Sequence, residues 1–553
     1  MPWTQNYSAL AGSIGFTSLA VAVPILYLFW ALAVKKMTGH IAGVTTLILT
    51  ILDVVIVYKM PVSMAISASI LGVFNGLFPI AWIVFSAVFL YNLVVEAGQF
   101  DVIKSSIASL SDDRRLQTLL IAFSFGAFLE GAAGFGAPVA IAGAILIGLG
   151  FEPLYAAGLC LIADTAPVAF GGIGSPIIAA GSVTGISANV ISQAVGRQLP
   201  FLSILVPMYL IIVLAGWKKT VEVLPAVLIA GGSFAITQFF SSNYLGAYLP
   251  DIISSLVSLV CTAAFLKVWK PKTIWRFPHE KDTKSGTAVK YTGAQILKAW
   301  TPFIILTIFV GIWGVPAFKD FVAKDLRWFI NIKHWPGLDG LIYKAAPIVP
   351  KPTLYPANYE WDFFSAAGTA ILLAAIISSF ILGLKPSKTI KVFGATFKQL
   401  LYPIIMMGSV LGIAYLANYS GMSFTLGLLF ASTGKIFPFL SPILGWLGVF
   451  LTGSDTSSNA LFGKLQMTTA SQLGLNPVLA VSANSSGGVM GKMISPQSLA
   501  VAAAGTNQVG KESSLFRFTF KHSLGFVVVV GIIILLQAYV FPGMLPHVTL
   551  ALQ

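Results

Sequence analysis

Apolar runs of about 18 residues or more recur along the whole chain, each long enough to cross hydrocarbon roughly 30 Å thick as a helix. The first, Ala11–Val34, has no basic residue before it and is followed by Lys35-Lys36, which predicts an uncleaved spanning helix rather than a signal peptide. Single crossings are predicted at 199–216, 221–240, 245–267, 299–317 and 363–384. The run 61–97 is interrupted by "VFNGLFP" at 73–79, so it predicts one net crossing through a broken or partly interfacial helix. Two runs, 116–150 and 438–474, are interrupted near their middles by "LEGAAGFGAP" and "TGSDTSSN". Each is too long for one crossing, and each half is too short to span alone. A re-entrant hairpin fits best, because irregular backbone at that depth is tolerated only where protein or a watery cavity covers it. Two further segments, 153–186 and 477–507, carry "FGGIGSPI" (170–177) and "SSGGVMGKMISPQ" (485–497). Proline removes a backbone donor and glycine resists helix, so both are expected to be broken spanning helices.

These interruptions belong to an internal repeat. The stretch 98–131 aligns with 420–453: both begin with a glycine after a crossing, pass a short amphipathic stretch, run apolar and end in Phe-Leu-x-Gly. The order continues with "GFEPLYAAGL" (150–159) against "GLNPVLAVSA" (474–483), and "GGIGSP" (171–176) against "GGVMGKMISP" (487–496). The most basic connections are Lys218-Lys219, 267–298, 385–398 and Lys511–Lys521, and the positive-inside rule places them in the cytoplasm. The mixed-charge segment 318–362 then falls outside. The first copy starts inside, beside Arg114 and Arg115, and the second starts outside. Two copies of opposite sense form an inverted repeat, characteristic of secondary transporters. The expected organisation is 1–60 as N-terminal helices, 61–217 as the first repeat, 218–362 as connecting helices with a cytoplasmic loop at 268–298, and 363–545 as the second repeat. The fold class is an all-α polytopic membrane protein with two re-entrant hairpins and two broken helices.

Composition agrees: of 553 residues, 57% are hydrophobic and only 9% charged, too little charge for a water-facing surface. The net charge of +14 reads as loop charge that sets orientation, so no nucleic-acid partner is expected; the lipid bilayer is. Cys160 and Cys261 sit alone in separate apolar segments and read as packing residues. No metal site and no cofactor are expected.

Four breaks should converge near the midplane, where half-helix N-termini favour a carboxylate ligand. They bring the glycines Gly131, Gly134, Gly136, Gly171, Gly172, Gly174, Gly453, Gly487 and Gly488. Their hydroxyls and amides are Ser175, Thr452, Ser454, Thr456, Ser457, Ser458, Asn459, Asn484, Ser485, Ser486, Ser495 and Gln497. Packing notches and hydroxyls bonded back to their own helix are the bland reading of these residues. An ion in hydrocarbon is costlier, so Glu130, Asp164, Asp455 and Lys492 point to function. Asp53 and Lys464 have no neighbouring break and carry no assignment. Lys492 suits a small anion, or an internal ion pair with Asp164 or Asp455, or each in turn. No histidine sits at a break, so a proton would need a desolvated carboxyl group. Glu130 is the first candidate, then Asp164, with Asp455 beside them. Sodium would instead use the hydroxyl-rich "TGSDTSSN". The first tip has an acid and little hydroxyl, which assigns proton handling mainly to the first copy and substrate contacts mainly to the second. A channel would not explain ionisable groups at the breaks, and an enzyme lacks a His or Cys there.

At these residues the chain resembles the lactate permease family. The resemblance is carried by "FLEGAAGFGAPVAIAGAILIGLGFEPLYAAGLCLIADTAPVAFGGIGSPI" (128–178), "WDFFSAAGTA" (361–370), "TGSDTSSNALFG" (452–463) and "SANSSGGVMGKMISPQSLAVA" (482–502). The resemblance implies a prokaryotic plasma (inner) membrane permease taking up L-lactate, often with D-lactate and glycolate, in symport with protons. It also implies an elevator-type transporter, with the hairpin-bearing core moving against a scaffold. A sodium-coupled small-carboxylate symporter is the alternative, and a homodimer is left open.

Overall fold

The computed structural model describes residues 2–35, 37–132, 134, 137–277, 291–314, 318, 321–322, 329–508 and 511–546. Among these, nine helices are long and apolar enough to cross a membrane, or up to eleven if each bent pair counts as one span. The run predicted to break at 73–79 is a 35-residue span, Val62–Glu96, in which Phe78, just before Pro79, leaves the helical region. A proline cannot donate to the preceding turn, so the kink falls there. A second 35-residue helix, Pro386–Ser420, passes through Pro403 without a break.

After each long helix comes a short one, Gln99–Ala108 or Met422–Ala431, and then a helical hairpin. In the first copy the arms run from Arg114 through Ala132 and then over Ala137–Gly148. In the second they are Phe437–Thr452 and Asp455–Gln472. Each hairpin is followed by a broken helix: Pro153–Ala163 with Gly171–Thr184, and Pro477–Lys492 with Pro496–Gly505. The far half of each broken helix packs on the return arm of the other copy's hairpin. Gly171–Thr184 lies against Asp455–Gln472, and Pro496–Gly505 against Ala137–Gly148. The two hairpins and the two broken helices therefore interlock. Around them, Gly39–Val57 and Val62–Asn75 pack on Pro386–Ser420, and Leu199–Ala215, Leu224–Tyr244 and Pro250–Val268 pack in series.

The segment 329–362 holds short strands that the hydrophobic pattern does not announce. Trp3–Thr4 pairs in parallel with Ile342–Lys344, which also pairs with Thr353–Leu354; Phe329–Ile332 pairs with Tyr359–Asp362. The N-terminus thus lies on the same face as that segment, and Gln5 donates from Nε2 to the carbonyls of Asn418 and Tyr419 at the end of Pro386–Ser420.

The opposite face gathers two of the basic connections, those at Lys218-Lys219 and 267–298, around one side chain of a third segment. Arg115 is fully buried and donates to Asp113 Oδ1 (3.0 Å) and Oδ2 (2.7 Å), Glu222 Oε2 (2.8 Å), and the carbonyls of Lys219 and Thr273 (2.9 Å each). Lys219 and Arg115 hold the Glu222 carboxyl down to about 2. Since this folded-state value lies below the unfolded one, the contribution of Glu222 is present above the ordinary carboxylate range and fades as pH falls towards 2. A lysine offers three donors from a point charge where the guanidinium offers a five-donor fork. Arg115→Lys is therefore expected to cost about 2 kcal/mol, read as a lowered thermal midpoint of the detergent-solubilised protein. An unchanged midpoint would show that this knot does not hold the connections.

Candidate functional site

The first hairpin turns just after Glu130. Helix Gly126–Ala132 carries the acid, and Gly134 follows in the left-handed region (φ +62°), its N–H bonded to Leu129 O at 3.2 Å. Gly136, with Ala133 and Phe135, lies outside the described residues. The second tip turns at Gly453 (φ +71°), and Ser454 caps the return helix by accepting from the Ser457 N–H. Hydroxyl residues favour such caps because they satisfy the free amides of the first turn.

The first broken helix bends by 64° between its halves. Gly172, Ile173 and Gly174 all have positive φ (51°, 54° and 73°). Ile173 is a β-branched residue in a region that costs L-residues about 1–2 kcal/mol; its side chain is fully buried, so packing holds it there. Asp164 ends the near half of this helix, and Lys492 ends the near half of the second broken helix.

These ends meet. Lys492 Nζ lies 2.7 Å from Glu130 Oε1 and 3.5 Å from Asp164 Oδ2. All three side chains are buried, with exposures of 6%, 3% and 5% for Lys492, Glu130 and Asp164. The ion pair foreseen for Lys492 thus forms with Asp164 but not with Asp455, and Glu130 is the nearer partner. Asp455 lies in the first turn of the second return arm, where it accepts from Ser485 Oγ (2.5 Å) and Asn459 Nδ2 (3.2 Å). Ser485 precedes Lys492 by seven residues on one helix, about 10 Å along its axis, so Asp455 contacts a different level.

A cleft of about 1190 Å³ runs down to this cluster. Of the residues singled out from the sequence, Glu130, Gly134, Gly171, Gly172, Ser175, Thr452, Gly453, Ser454, Asp455, Thr456, Ser457, Lys492 and Gln497 line it. Asp164 sits behind Lys492. The others turn inward, into the protein. Ser458 donates to Gly445 O, and Asn459 bridges Pro176 O, Asp455 and Asn484. Ser486 donates to Gln198 Oε1 at 2.6 Å, and Ser495 caps Pro496–Gly505. Gly487 faces the Pro442 backbone, Gly488 faces Asp455, and Gly174 faces the Ala247 backbone. Gly131 abuts Asp251, where an added Cβ would stand 2.8 Å from the aspartate Cβ. The copies are also joined directly by Ser175 Oγ and Thr456 Oγ1, 3.2 Å apart.

Three contributors escaped the sequence reading. Gln198 belongs to none of the breaks. Asp251 reads as an ordinary acid in the first turn of a helix. His40, which like every histidine sits at no break, lines the cleft, stacked on Tyr402 at 4.2 Å. The two unassigned charges lie elsewhere: Lys464 donates to Thr184 O at 3.4 Å, at the end of Gly171–Thr184, and Asp53 sits on Gly39–Val57. Lysine at a helix C-terminus complements its free carbonyls. Among the described residues no group of three His, Cys, Asp or Glu side chains could hold a metal ion.

The cleft can therefore do one kind of chemistry well. It offers a small anion an ammonium group, hydroxyls and first-turn amides in one place, and its acids can take up the positive charge in return.

The profile of the L-lactate permease family matches residues 17–541. The glycolate permease GlcA of Escherichia coli K12 is 56% identical over 98% of this chain and 99% of its own length. An L-lactate permease of the same strain is 53% identical over 98% of this chain and 100% of its own, and one of Bacillus subtilis 168 is 52% identical over 99% and 100%.

Proposed function

The chain belongs to the L-lactate permease family, and from that premise we propose that it takes up L-lactate, with D-lactate and glycolate, by symport with protons. It is a multi-pass protein of the bacterial inner membrane and a permease, not an enzyme. The observation that carries the coupling is the buried Lys492–Glu130–Asp164 cluster at the foot of the cleft.

One ammonium and two carboxylates carry a net charge of −1 when all are ionised. A monocarboxylate entering alone would deepen that charge in a low-dielectric site, at a cost of several kcal/mol. A proton arriving on Glu130 or Asp164 removes one negative charge and frees one face of Lys492, which the substrate carboxylate then takes. The net charge is unchanged only when both are aboard, so each favours the other. Thr456, Ser457, Gln497 and the amides around Gly172 are placed to receive the substrate's hydroxyl and second oxygen. Substrate contacts come mainly from the second repeat and proton-binding groups mainly from the first, with Lys492 as the exception that ties them together.

We read 61–217 and 363–545 as inverted repeats whose hairpins are re-entrant, and the interlocked hairpins and broken helices as the moving core of an elevator. The cleft is lined by Met37 and His40, which follow the basic pair Lys35-Lys36, and by Glu512 and Ser513 in the basic stretch Lys511–Lys521 assigned to the cytoplasm. This supports an inward-open conformation.

The second reading, sodium symport, draws on the hydroxyls around Asp455. Reconstituted uptake of labelled L-lactate with pH and sodium gradients imposed separately decides between them. The expected result is accumulation above the external concentration with the pH gradient alone. Accumulation only with sodium would overturn proton coupling, and uptake that merely equilibrates would overturn symport.

A further inference from the structure

A third acid faces the cluster from outside both repeats. Asp251 opens helix Pro250–Val268 and is 1% exposed. Neither of its carboxyl oxygens has a hydrogen-bond partner among the described residues. Its helix packs on Gly126–Ala132, with Asp251 against Gly131, the residue after Glu130. The preceding turn, through Ala247, is wedged against Gly174 in the first break. The charges that act on Asp251 are Glu130 and Asp164 from the first repeat and Lys492 from the second. Among the described residues, the other elements packed on it, Thr118–Phe125, Leu224–Tyr244 and Gly171–Thr184, bring only Tyr244, exposed at the end of its helix nearest Asp251, and the turn before Asp251 carries Tyr248.

We propose that Asp251 is a proton-exchanging member of the coupling site, passing protons to and from the Glu130–Asp164 pair. Three ionised acids around one ammonium would bury a net charge of −2, so the cluster is stable only when protons are shared among its carboxyls. An acid with two unengaged oxygens, one helix away from Glu130, is the group best able to hold such a proton while Glu130 is bound to Lys492. When substrate displaces Glu130, the proton moves between carboxyls without crossing the substrate's own binding surface. The route continues along the same helix, where Ser254, one turn further on, is fully buried with its hydroxyl unpartnered. A purely structural acid would instead hydrogen-bond to backbone or pair directly with a cation, and among the described residues Asp251 does neither.

This proposal rests on the proton-symport reading, and the test separates the two. Wild type, Asp251→Asn and Asp251→Glu are reconstituted, and each is measured for pH-gradient-driven accumulation of labelled L-lactate and for L-lactate exchange without a gradient. Asp251→Asn is expected to lose accumulation by about tenfold or more, as for removal of a positioned proton-transfer group, with exchange nearly intact. Asp251→Glu is expected to restore accumulation with a displaced pH profile. Wild-type accumulation in Asp251→Asn, or loss of exchange together with accumulation, overturns the proposal. An Asp251→Glu protein with an unchanged pH profile overturns it as well. Failure of the wild type itself to respond to a pH gradient overturns the proton reading, and this proposal with it.

Discussion

Glu130→Gln is expected to abolish uphill L-lactate accumulation while leaving exchange in place. Glutamine keeps the length and the acceptor oxygen that meets Lys492 Nζ at 2.7 Å, so the tip and its turn are preserved. It cannot bind and release a proton. The variant also removes one of the two counter-charges of Lys492, leaving Asp164 at 3.5 Å, so the ammonium remains partly neutralised and the substrate site is not vacated. Accumulation driven by a pH gradient should fall by about a hundredfold or more, the scale of losing an essential proton-transfer group. Exchange of labelled for unlabelled lactate, which needs no net proton movement, should stay within about threefold. Unimpaired accumulation would remove Glu130 from the coupling role and leave Asp164 to carry it.

Lys492→Met should be the most damaging substitution in the site, and for two separable reasons. Methionine has nearly the same length but no charge. The carboxylates of Glu130 and Asp164 would remain buried without a cation, and breaking a buried pair from one side costs about 3–5 kcal/mol. The thermal midpoint of the purified protein should therefore drop, and lactate should no longer protect it against unfolding. Combining Lys492→Met with Glu130→Gln removes half of the uncompensated charge, that of the nearer carboxylate. That double variant should regain stability without regaining lactate binding. The comparison is informative because residues in direct contact are not additive. If Lys492→Met keeps both its midpoint and its lactate affinity, the substrate carboxylate is held elsewhere, with the amides near Gly172 the next candidates.

The match between chain and fold is closest where a rule is local. The kink at Phe78, the tips at Glu130 and Gly453, and the breaks at Gly171–Gly174 and Met493–Ser495 all fall where proline, glycine and polar residues interrupt an apolar run. A helix in hydrocarbon has to satisfy its own backbone groups, so any such interruption is visible within a few residues. The same locality explains what was hidden in the segment 329–362: strands of two to four residues leave almost no period to read. It also explains the polar residues whose identity was legible but whose direction was not. Ser457 and Ser458 are neighbours at the start of one helix. The first lines the cleft, and the second donates into the protein to Gly445.

By itself the sequence determined the class of the protein, the place of the breaks that carry its polar residues, and which ionisable residues lie in apolar surroundings; the 44° bend between Ala188–Val195 and Leu199–Ala215 was not legible. What was legible follows from length, periodicity and the cost of burying charge, all of which act over one helix or less. Only the tertiary structure decided who meets whom. Glu130 and Lys492 are 362 residues apart, and their contact exists because the first hairpin tip packs at the end of the second broken helix. Asp251 joins them from a helix outside both repeats, held there by a glycine that leaves no room for a side chain. Charge pairing of this kind depends on distances set by packing across the whole core, and no single segment contains them.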